Sequence, residues 1–258
     1  MNKAKEMLLA RIHLGAVLPL LEDIAAFDPA LREALVDWNF TVQFQLPGGK
    51  PATALVFKRG SLKTYPSGVK GARVSLTFKD AAFLNQVFQG RTKKSPRPGL
   101  TGLLHLKKLR QLEQVLGHLE RYLKPVEELL QQEESYAFCV KIALYALAFG
   151  IKEVGEYDPE LSCIAARLPD GVVEIGVVDG PAVHIRVKKG KFYPARGEAE
   201  TANARLEIAD LDTAWAMLQG KLDLFAAVGG GKIKLRGNIP LLDGISPLMD
   251  RLALYLAG

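Results

Sequence analysis

Histidine and cysteine are the side chains best suited to metal binding and nucleophilic chemistry, and this sequence has few of either. The four histidines are His13, His105, His118 and His184, and the two cysteines are Cys139 and Cys163. The histidines are scattered, with no HExxH motif and no His/Cys cluster at the spacing of a zinc site. The cysteines form no CxxC pair, and neither has an obvious histidine partner in the sequence. The sequence therefore predicts no metal site and no cysteine nucleophile.

A glycine run followed by a lysine, Gly229-Gly230-Gly231-Lys232, has part of the composition of a phosphate-binding loop. A true phosphate loop needs a glycine four residues further back and a serine or threonine after the lysine, where this sequence has Ile233. A flexible loop at the mouth of a cavity is the better interpretation. The carboxylate pairs Glu127-Glu128 and Glu133-Glu134 are typical of a solvated helix surface, and there is no GxSxG. We predict a protein without catalytic activity or cofactor.

The chain is mildly basic, with a formal net charge of +6. Its densest cationic cluster comprises Arg91, Lys93, Lys94 and Arg97, with Lys107, Lys108 and Arg110 soon after. One interpretation is a solvated loop and helix face. The other is attraction to the anionic head groups of a membrane surface or to the phosphate of a CoA ester. Nucleic acid is not expected as a partner, because no aromatic residues interleave with the cations.

The composition is that of an ordinary globular protein, with 48% hydrophobic and 24% charged residues. The N-terminal residues 1–15 include Glu6 and Arg11 and lack a cleavage site, which favours a helix over a signal peptide. The most apolar stretch, 137–151, contains Lys141 and is shorter than the ~20 residues of a membrane-spanning helix. Together with the two unpaired cysteines, these features predict a cytoplasmic protein.

The elements that would position any site are duplicated. At an offset of 130 residues the sequence repeats its turn and cap residues. Asp28-Pro29 aligns with Asp158-Pro159, Lys58-Arg59-Gly60 with Lys188-Lys189-Gly190, and Gln89-Gly90 with Gln219-Gly220. We predict two domains, residues 1–128 and 129–258, that share one fold, with no gap between the copies up to the glycine.

Each copy has the same predicted order of elements. An amphipathic helix, which Pro19 interrupts in the first copy, leads to the Asp-Pro turn and a short helix. Strands with a period of two follow, such as 38–46, where Trp38, Phe40, Val42, Phe44 and Leu46 alternate with polar residues. A helix capped by Asp80 or Asp210 comes next. This alternation predicts an antiparallel sheet covered on one face.

After the glycine the copies diverge. The second copy has a predicted strand at Gly231–Asn238, with Ile233 and Leu235 pointing inward and Lys232, Lys234 and Arg236 outward, and then a final helix. The first copy has the basic cluster and then a leucine-rich helix from Leu109 to Leu123.

The stretch from Ala204 to Leu242 resembles the sterol carrier protein type 2 family, through Gly220-Lys221-Leu222 and Gly231–Asn238. The first copy departs from this pattern, because Gly90-Arg91-Thr92 stands in place of Gly-Lys-Leu. The resemblance implies an α+β fold: two tandem copies of a five-stranded, mostly antiparallel sheet covered on one face by helices. It also implies an apolar tunnel between sheet and helices that holds a fatty acyl chain, an acyl-CoA, a phospholipid or a sterol.

The large apolar residues of the second copy would line such a tunnel or would simply fill a core, and both interpretations stay open. Those that we assign to ligand binding are Trp215, Met217, Leu218, Phe225, Ile233, Leu235, Ile239, Leu242 and Met249. The predicted function is non-enzymatic carriage of an apolar lipid. The alternative is a structural module in which the two copies form a pseudo-dimer without a ligand. The sequence does not set the oligomeric state.

Overall fold

The computed structural model describes residues 2–98 and 106–256 of the 258-residue chain. The chain divides into two compact units, Met1–Lys124 and Pro125–Gly258. The boundary predicted from the repeat lies between residues 128 and 129. Each unit combines helices with one sheet, so the predicted α+β class is confirmed.

The helices and strands of the first unit are α1 (Lys3–Ile12), a π-helical turn (His13–Val17), a 3-10 turn (Leu18–Leu20), α2 (Leu21–Phe27), α3 (Pro29–Ala34), β1 (Asn39–Gln45), a 3-10 turn (Pro47–Gly49), β2 (Ala52–Lys58), β3 (Ser61–Pro66), β4 (Val74–Thr77), α4 (Ala81–Phe88), β5 (Arg97–Pro98) and α5 (Leu106–Leu123).

The elements of the second unit are α6 (Glu127–Leu130), α7 (Glu133–Tyr157), α8 (Ser162–Ala165), β6 (Gly171–Val177), β7 (Ala182–Lys188), β8 (Lys191–Arg196), β9 (Ala204–Ile208), α9 (Leu211–Leu218), α10 (Leu224–Gly229), β10 (Ile233–Gly237) and α11 (Ile239–Leu256).

Both sheets have the same strand order. The first is β3-β2-β1-β4-β5 and the second, read from the corresponding edge, is β8-β7-β6-β9-β10. In each sheet, alternate residues of the strands are buried on one face, the inner face, which the helices cover. The opposite, outer face carries most of the polar residues of the strands, such as Gln43, Gln45 and Glu174. The duplication inferred from the sequence is therefore confirmed at the level of topology.

The sheets are mixed, whereas a mostly antiparallel sheet was predicted. The central pairing, β1 with β4 or β6 with β9, is parallel, and the others are antiparallel. Two hairpins give β3 the direction of β1, and the loop 67–73 then passes over the outer face rather than turning back. The backbone N–H of Val69 donates to Oε1 of Gln43 (2.8 Å) on the way. The chain therefore enters β4 beside β1 in the same direction.

The offset between the copies changes in the first strand. Val42 pairs with Val74 and Val173 pairs with Ala204, so β1 and β6 are 131 residues apart while β4 and β9 are 130 apart. The prediction of an offset without a gap is wrong here. Six residues separate the paired Gln45 and Ala52, whereas five separate the paired Gly176 and Ala182, and this difference of one restores the offset of 130. The pairing register of β6 has to keep its apolar side chains on the inner face, because a slip of one residue would turn every side chain to the other face.

Pro19 interrupts the first helix, as predicted. In the π-helical turn the N–H of Leu18 donates to the carbonyl of His13, so the N–H of residue 19 would donate to the carbonyl of Leu14. Pro19 has no N–H, and the Leu14 carbonyl therefore lacks its helical donor. The hydroxyl of buried Thr53 donates to the Leu14 carbonyl instead (2.7 Å). The second unit has Phe149 at the position of Pro19, and its helix α7 is continuous over 25 residues. Its residue at the position of Thr53 is Val183, which has no hydroxyl to donate.

The final helices dock on the aspartate of the Asp-Pro turn in both units. Asp28 caps α3 through Oδ1, and its Oδ2 accepts from Nδ1 of His118 (3.0 Å) and from the hydroxyl of Tyr122 (3.1 Å). In the second unit Oδ2 of Asp158 accepts from Tyr255 (3.3 Å) and lies 3.5 Å from Nε of Arg251. Burial and the charge of Asp158 raise the pKa of Tyr255 to about 12.

We call these contacts, of Asp28 with His118 and Tyr122 and of Asp158 with Arg251 and Tyr255, the aspartate clamp. The aspartate clamp shows that the duplication extends through the last helix. His118 and Tyr122 correspond to Arg251 and Tyr255 at an offset of 133. The buried residues of the two helices match at the same offset, as Leu112 with Ile245, Val115 with Leu248, and Leu119 with Leu252. The sequence comparison missed this correspondence because the segments before these helices differ in length.

Candidate functional site

The inner face of the second sheet is apolar along its whole width. Its buried residues include Val173, Ile175, Val183, Ile185, Val187, Phe192, Ile208 and Ile233. Helix α7 lies over β7 and β8, and α11 lies over β9. A Cβ at Gly150 would come within 3 Å of Leu252, and one at Gly155 within 3 Å of Phe192. These glycines therefore let α7 approach α11 on one side and the sheet on the other.

The predicted site residues fall into three groups by exposure. Ile233 and Leu242 are buried, with 1% and 8% of their surface exposed. Trp215, Met217, Leu218 and Met249 are half-buried on α9 and α11. Phe225, Leu235 and Ile239 are exposed, at 93%, 40% and 42%. The structure therefore leaves three of the nine predicted residues in solvent.

The prediction that Leu235 points into a covered interior is wrong for the part of the chain that is described. Leu235 is on the same side of β10 as buried Ile233, but β10 is the edge strand of the sheet, and only Ile233 within it is buried. The helix layer thus covers the start of β10 and ends before Leu235. Phe225 does not reach the sheet either, because α10 buries Ala227 and turns Phe225 outward.

The two units differ most in the aromatic residues between the sheet and the helix after the fourth strand. In the first unit Phe78 packs on Phe44, Phe83 and Phe88, with ring centroids 6.0–6.5 Å apart. The corresponding residues of the second unit are all smaller: Ile208, Ile175, Thr213 and Leu218. Trp215 is larger than its counterpart Asn85, yet it is half-buried where Asn85 is fully buried. The second unit therefore has less side-chain volume at the four phenylalanine positions and more at the position of Trp215.

The same region of the first unit also contains a buried polar group. Nδ1 of His13 donates to Oδ1 of Asn85 (3.1 Å), and Nδ2 of Asn85 donates to the backbone carbonyl of Glu6 (3.0 Å). The His13 ring stacks on Phe88 at 5.1 Å. Burial lowers the pKa of His13 to about 4, against the opposing effect of the Asn85 hydrogen bond. His13 is therefore neutral at pH 7, and this interior is packed rather than open.

Trp215 is held in place from the start of α7. The hydroxyl of Tyr136 donates to Oδ1 of Asp212 (2.8 Å), and the ring of Tyr136 meets Trp215 edge to face at 6.2 Å. Burial and the Asp212 hydrogen bond raise the pKa of Tyr136. The indole thus packs against the first turn of α7.

The remaining candidate groups do not form a reactive cluster. Nδ1 of His184 donates to the carbonyl of Gly197 (2.9 Å), and His105 lies outside the described residues. Residues 2–98 and 106–256 contain no group of three His, Cys, Asp or Glu residues that could hold a metal ion. A depression of about 240 Å³ lies among Val178, Glu207, Ala209, Gly231 and Lys234. None of the predicted ligand residues lines it.

The basic cluster of the first unit is partly described. Arg91, Lys93 and Lys94 are exposed, and Nζ of Lys108 lies 5.1 Å from the centroid of the Phe40 ring. Lys108 therefore contributes to packing through its stem and to a cation–π contact. The side chains of Arg97 and Lys107 lie outside the described set. Within that set, no helix is both long enough and apolar enough to span a bilayer.

Comparisons with known proteins gave structural similarities only. No family model and no curated protein matches the chain. The sterol carrier protein domain 2 of Helicoverpa armigera is 22% identical, with a TM-score of 0.35, over 43% of this chain and 88% of that domain. A palmitated SCP2L2 from Aedes aegypti is 18% identical, with a TM-score of 0.31, over 43% of this chain and 90% of that one.

A third similar structure is a double mutant of the sec-alkyl sulfatase PisA1. It is 16% identical, with a TM-score of 0.27, over 65% of this chain and 36% of that one. The similar structures thus include sterol carrier protein 2 domains, the family that the segment Gly231–Asn238 resembles.

Proposed function

We propose that the second unit carries an apolar lipid, without catalysis, between the inner face of its sheet and helices α9 and α11. The first unit is then a packed partner that holds no ligand of this kind. The ligand-contacting residues proposed are the half-buried Trp215, Met217, Leu218 and Met249, with Ile233 and Leu242 behind them. Leu235 and Ile239 would lie where the ligand enters, since both are exposed at the end of the covered region.

The observation that carries this proposal is the replacement of phenylalanine in the second unit. Four aromatic side chains fill the first unit at positions where the second has Ile175, Ile208, Thr213 and Leu218. Folded interiors are close-packed, so smaller side chains at these four equivalent positions favour an apolar space. The resemblance of Gly231–Asn238 to the sterol carrier family supports the same assignment.

A long acyl chain is the ligand class that this interior suits. The strands that line it contribute aliphatic side chains to the inner face, which recognise a methylene chain by area and not by hydrogen bonds. Each buried methylene contributes roughly 0.8 kcal/mol, so binding would depend on chain length more than on head-group identity. Fatty acids, acyl esters and phospholipids share this chemistry.

The test is to fill the proposed space with the side chains of the first unit. Leu218→Phe and Ile208→Phe restore the residues found at Phe88 and Phe78, and Ile164→Phe, at an exposed position on α8, serves as the control. We expect native mass spectrometry to show acyl-chain uptake by the wild type and the control, and loss of uptake by both filled variants. Circular dichroism and Tm confirm that the variants fold.

Wild-type uptake that persists in both folded, filled variants would show that the ligand lies elsewhere. An absence of uptake by the wild type itself would contradict carriage altogether and leave the ligand-free structural module as the explanation.

A further inference from the structure

The second unit contains a short helix, α10, that has no counterpart between α4 and β5 in the described part of the first unit. In the sheets, Arg97 pairs with Thr77 and Lys234 pairs with Glu207. Thr77 and Glu207 are equivalent, so Arg97 and Lys234 also occupy equivalent positions. Arg97 lies seven positions after Gly90, whereas Lys234 lies fourteen positions after Gly220. The additional residues form α10 and the glycines after it. We refer to residues 221–239, which include α10 and β10, as the α10 segment.

The α10 segment presents apolar side chains to solvent. Asp223 caps α10 by accepting from the N–H of Ala226 (3.0 Å), and Ala227 is the residue that the helix buries. Phe225 is 93% exposed, the largest fraction of any large hydrophobic side chain described. Further exposed apolar residues of the segment are Leu224, Val228, Leu235 and Ile239. A contiguous stretch of sequence that keeps such residues in water marks an interaction surface.

The same segment is cationic. Lys221, Lys232 and Lys234 are exposed, and Arg236 forms an ion pair with Glu207 (3.1 Å). Asp223 is the one acidic residue between positions 221 and 239. A segment that exposes both a phenylalanine and several lysines suits a membrane surface, whose interior is apolar and whose head groups are anionic. Self-association through this segment is disfavoured, because it would bring lysines of like charge together.

We propose that the α10 segment docks the second unit onto a membrane that contains anionic phospholipid. Phe225 enters the boundary between head groups and acyl chains, and Lys221, Lys232 and Lys234 bind lipid phosphates. This inference deepens the proposed function, on which it rests, because an acyl chain must pass between the protein and a membrane. Ile239, at the start of α11, then faces the bilayer at the point where the chain enters.

The test uses the full chain with two kinds of sedimenting vesicle, one of phosphatidylcholine and one of phosphatidylcholine and phosphatidylglycerol at about 3:1. The wild type binds the anionic vesicles, and high salt weakens this binding. Phe225→Ser lowers the affinity about tenfold or more, because it removes a large apolar side chain from the bilayer. Lys232→Glu with Lys234→Glu lowers it by a similar factor on the anionic vesicles only. Ile164→Ser, at a position 51% exposed on α8 of the same unit, leaves the affinity unchanged.

Lipid occupancy, measured on the same variants by native mass spectrometry, separates this inference from the proposed function. Phe225→Ser keeps its occupancy if the cavity and the docking surface are distinct, as proposed. If Phe225→Ser binds the vesicles with the same affinity as the wild type, the docking proposal is overturned and the proposal of carriage is unaffected. A concentration-dependent dimer that Phe225→Ser abolishes also overturns it, since the segment would then bind a second copy of the chain. Vesicle binding without any lipid occupancy contradicts carriage but not docking.

Discussion

At the scale of single residues, Thr53 shows how a side chain compensates for a break in a helix. It donates to the carbonyl of Leu14, which Pro19 deprives of its helical donor, and it is 1% exposed. The second unit has valine at this position and an unbroken helix. The hydroxyl is therefore needed only where the proline is present.

Thr53→Val should destabilise the first unit by about 1–3 kcal/mol, because it leaves a buried carbonyl without a donor at nearly constant volume. Urea denaturation followed by circular dichroism measures the change. Thr53→Ser, which keeps the hydroxyl, serves as the control and should lose less. Equal losses in the two variants would mean that the methyl group, and not the hydrogen bond, provides the stability.

His13 gives the first unit a dependence of stability on pH. Its pKa is about 4 in the folded state against 6.5 as the ordinary value, because burial disfavours the charged ring. Between these values the unfolded chain binds more protons than the folded chain, so stability rises with pH in this window. The contribution of neutral His13 to the free energy of unfolding is complete above pH 6.5 and declines as the pH falls towards 4, by up to about 3 kcal/mol.

The measurement is the free energy of unfolding as a function of pH for the wild type and for His13→Gln. The glutamine variant can keep a hydrogen bond to Asn85 but has no titrating ring, so we expect its stability to change less between pH 7 and pH 4.5. The same slope in both proteins would assign the pH dependence to other groups.

At the scale of elements, the aspartate clamp joins the start of each unit to its last helix. Asp158 accepts from two backbone N–H groups at its own turn and also contacts Tyr255 and Arg251 on α11. One carboxylate therefore caps a turn and holds a helix at the same time. The helix it holds is the one that covers β9 and the proposed ligand.

Asp158→Ala should cost more than the loss of a helix cap alone. Asp210→Ala is the matched control, because Asp210 caps α9 through the N–H of Thr213 (2.7 Å) and is not part of a clamp. We expect about 1 kcal/mol for the control and about 2–4 kcal/mol for Asp158→Ala, which also leaves Tyr255 and Arg251 without their shared partner. Equal losses in chemical denaturation would show that the contacts to α11 add nothing to the cap.

At the scale of the whole molecule, duplication has produced two units of one topology with different interiors. The first is filled by phenylalanine and by the group of His13 and Asn85, and the second has smaller residues at four equivalent positions. Among the described residues of the first unit there is no counterpart of α10, the helix proposed to meet the membrane. The two units thus share a fold without sharing the features on which carriage would depend.

This difference predicts one acyl chain bound per protein chain, in the second unit. Titration with a fatty acid followed by native mass spectrometry should reach saturation at a single adduct. Filling the second unit through Leu218→Phe should remove that adduct, whereas Phe88→Leu, the reverse change in the first unit, should leave it. A second adduct of equal affinity in the wild type would place a site in the first unit as well.

Local interactions made much of the fold predictable from the sequence. Asp28, Asp80 and Asp210 cap helices where their positions predict it, Pro19 breaks the first helix, and Phe40, Val42 and Phe44 are buried on one face of β1. Each of these depends on residues adjacent in the chain or on a repeating period. The repeat itself was visible because turns and caps need particular residue types.

Tertiary structure alone decided the features that depend on distant partners. The aspartate clamp pairs residues about 90 positions apart and uses histidine in one unit and arginine in the other, so neither spacing nor residue type reveals it. The one-residue change of offset in β6 and the parallel central pairing are set by which strands lie side by side and in which register. The exposure of Leu235 depends on where the helix layer ends over an edge strand. Periodicity indicates which face of a strand is apolar, but only packing decides how far along the strand that face is covered.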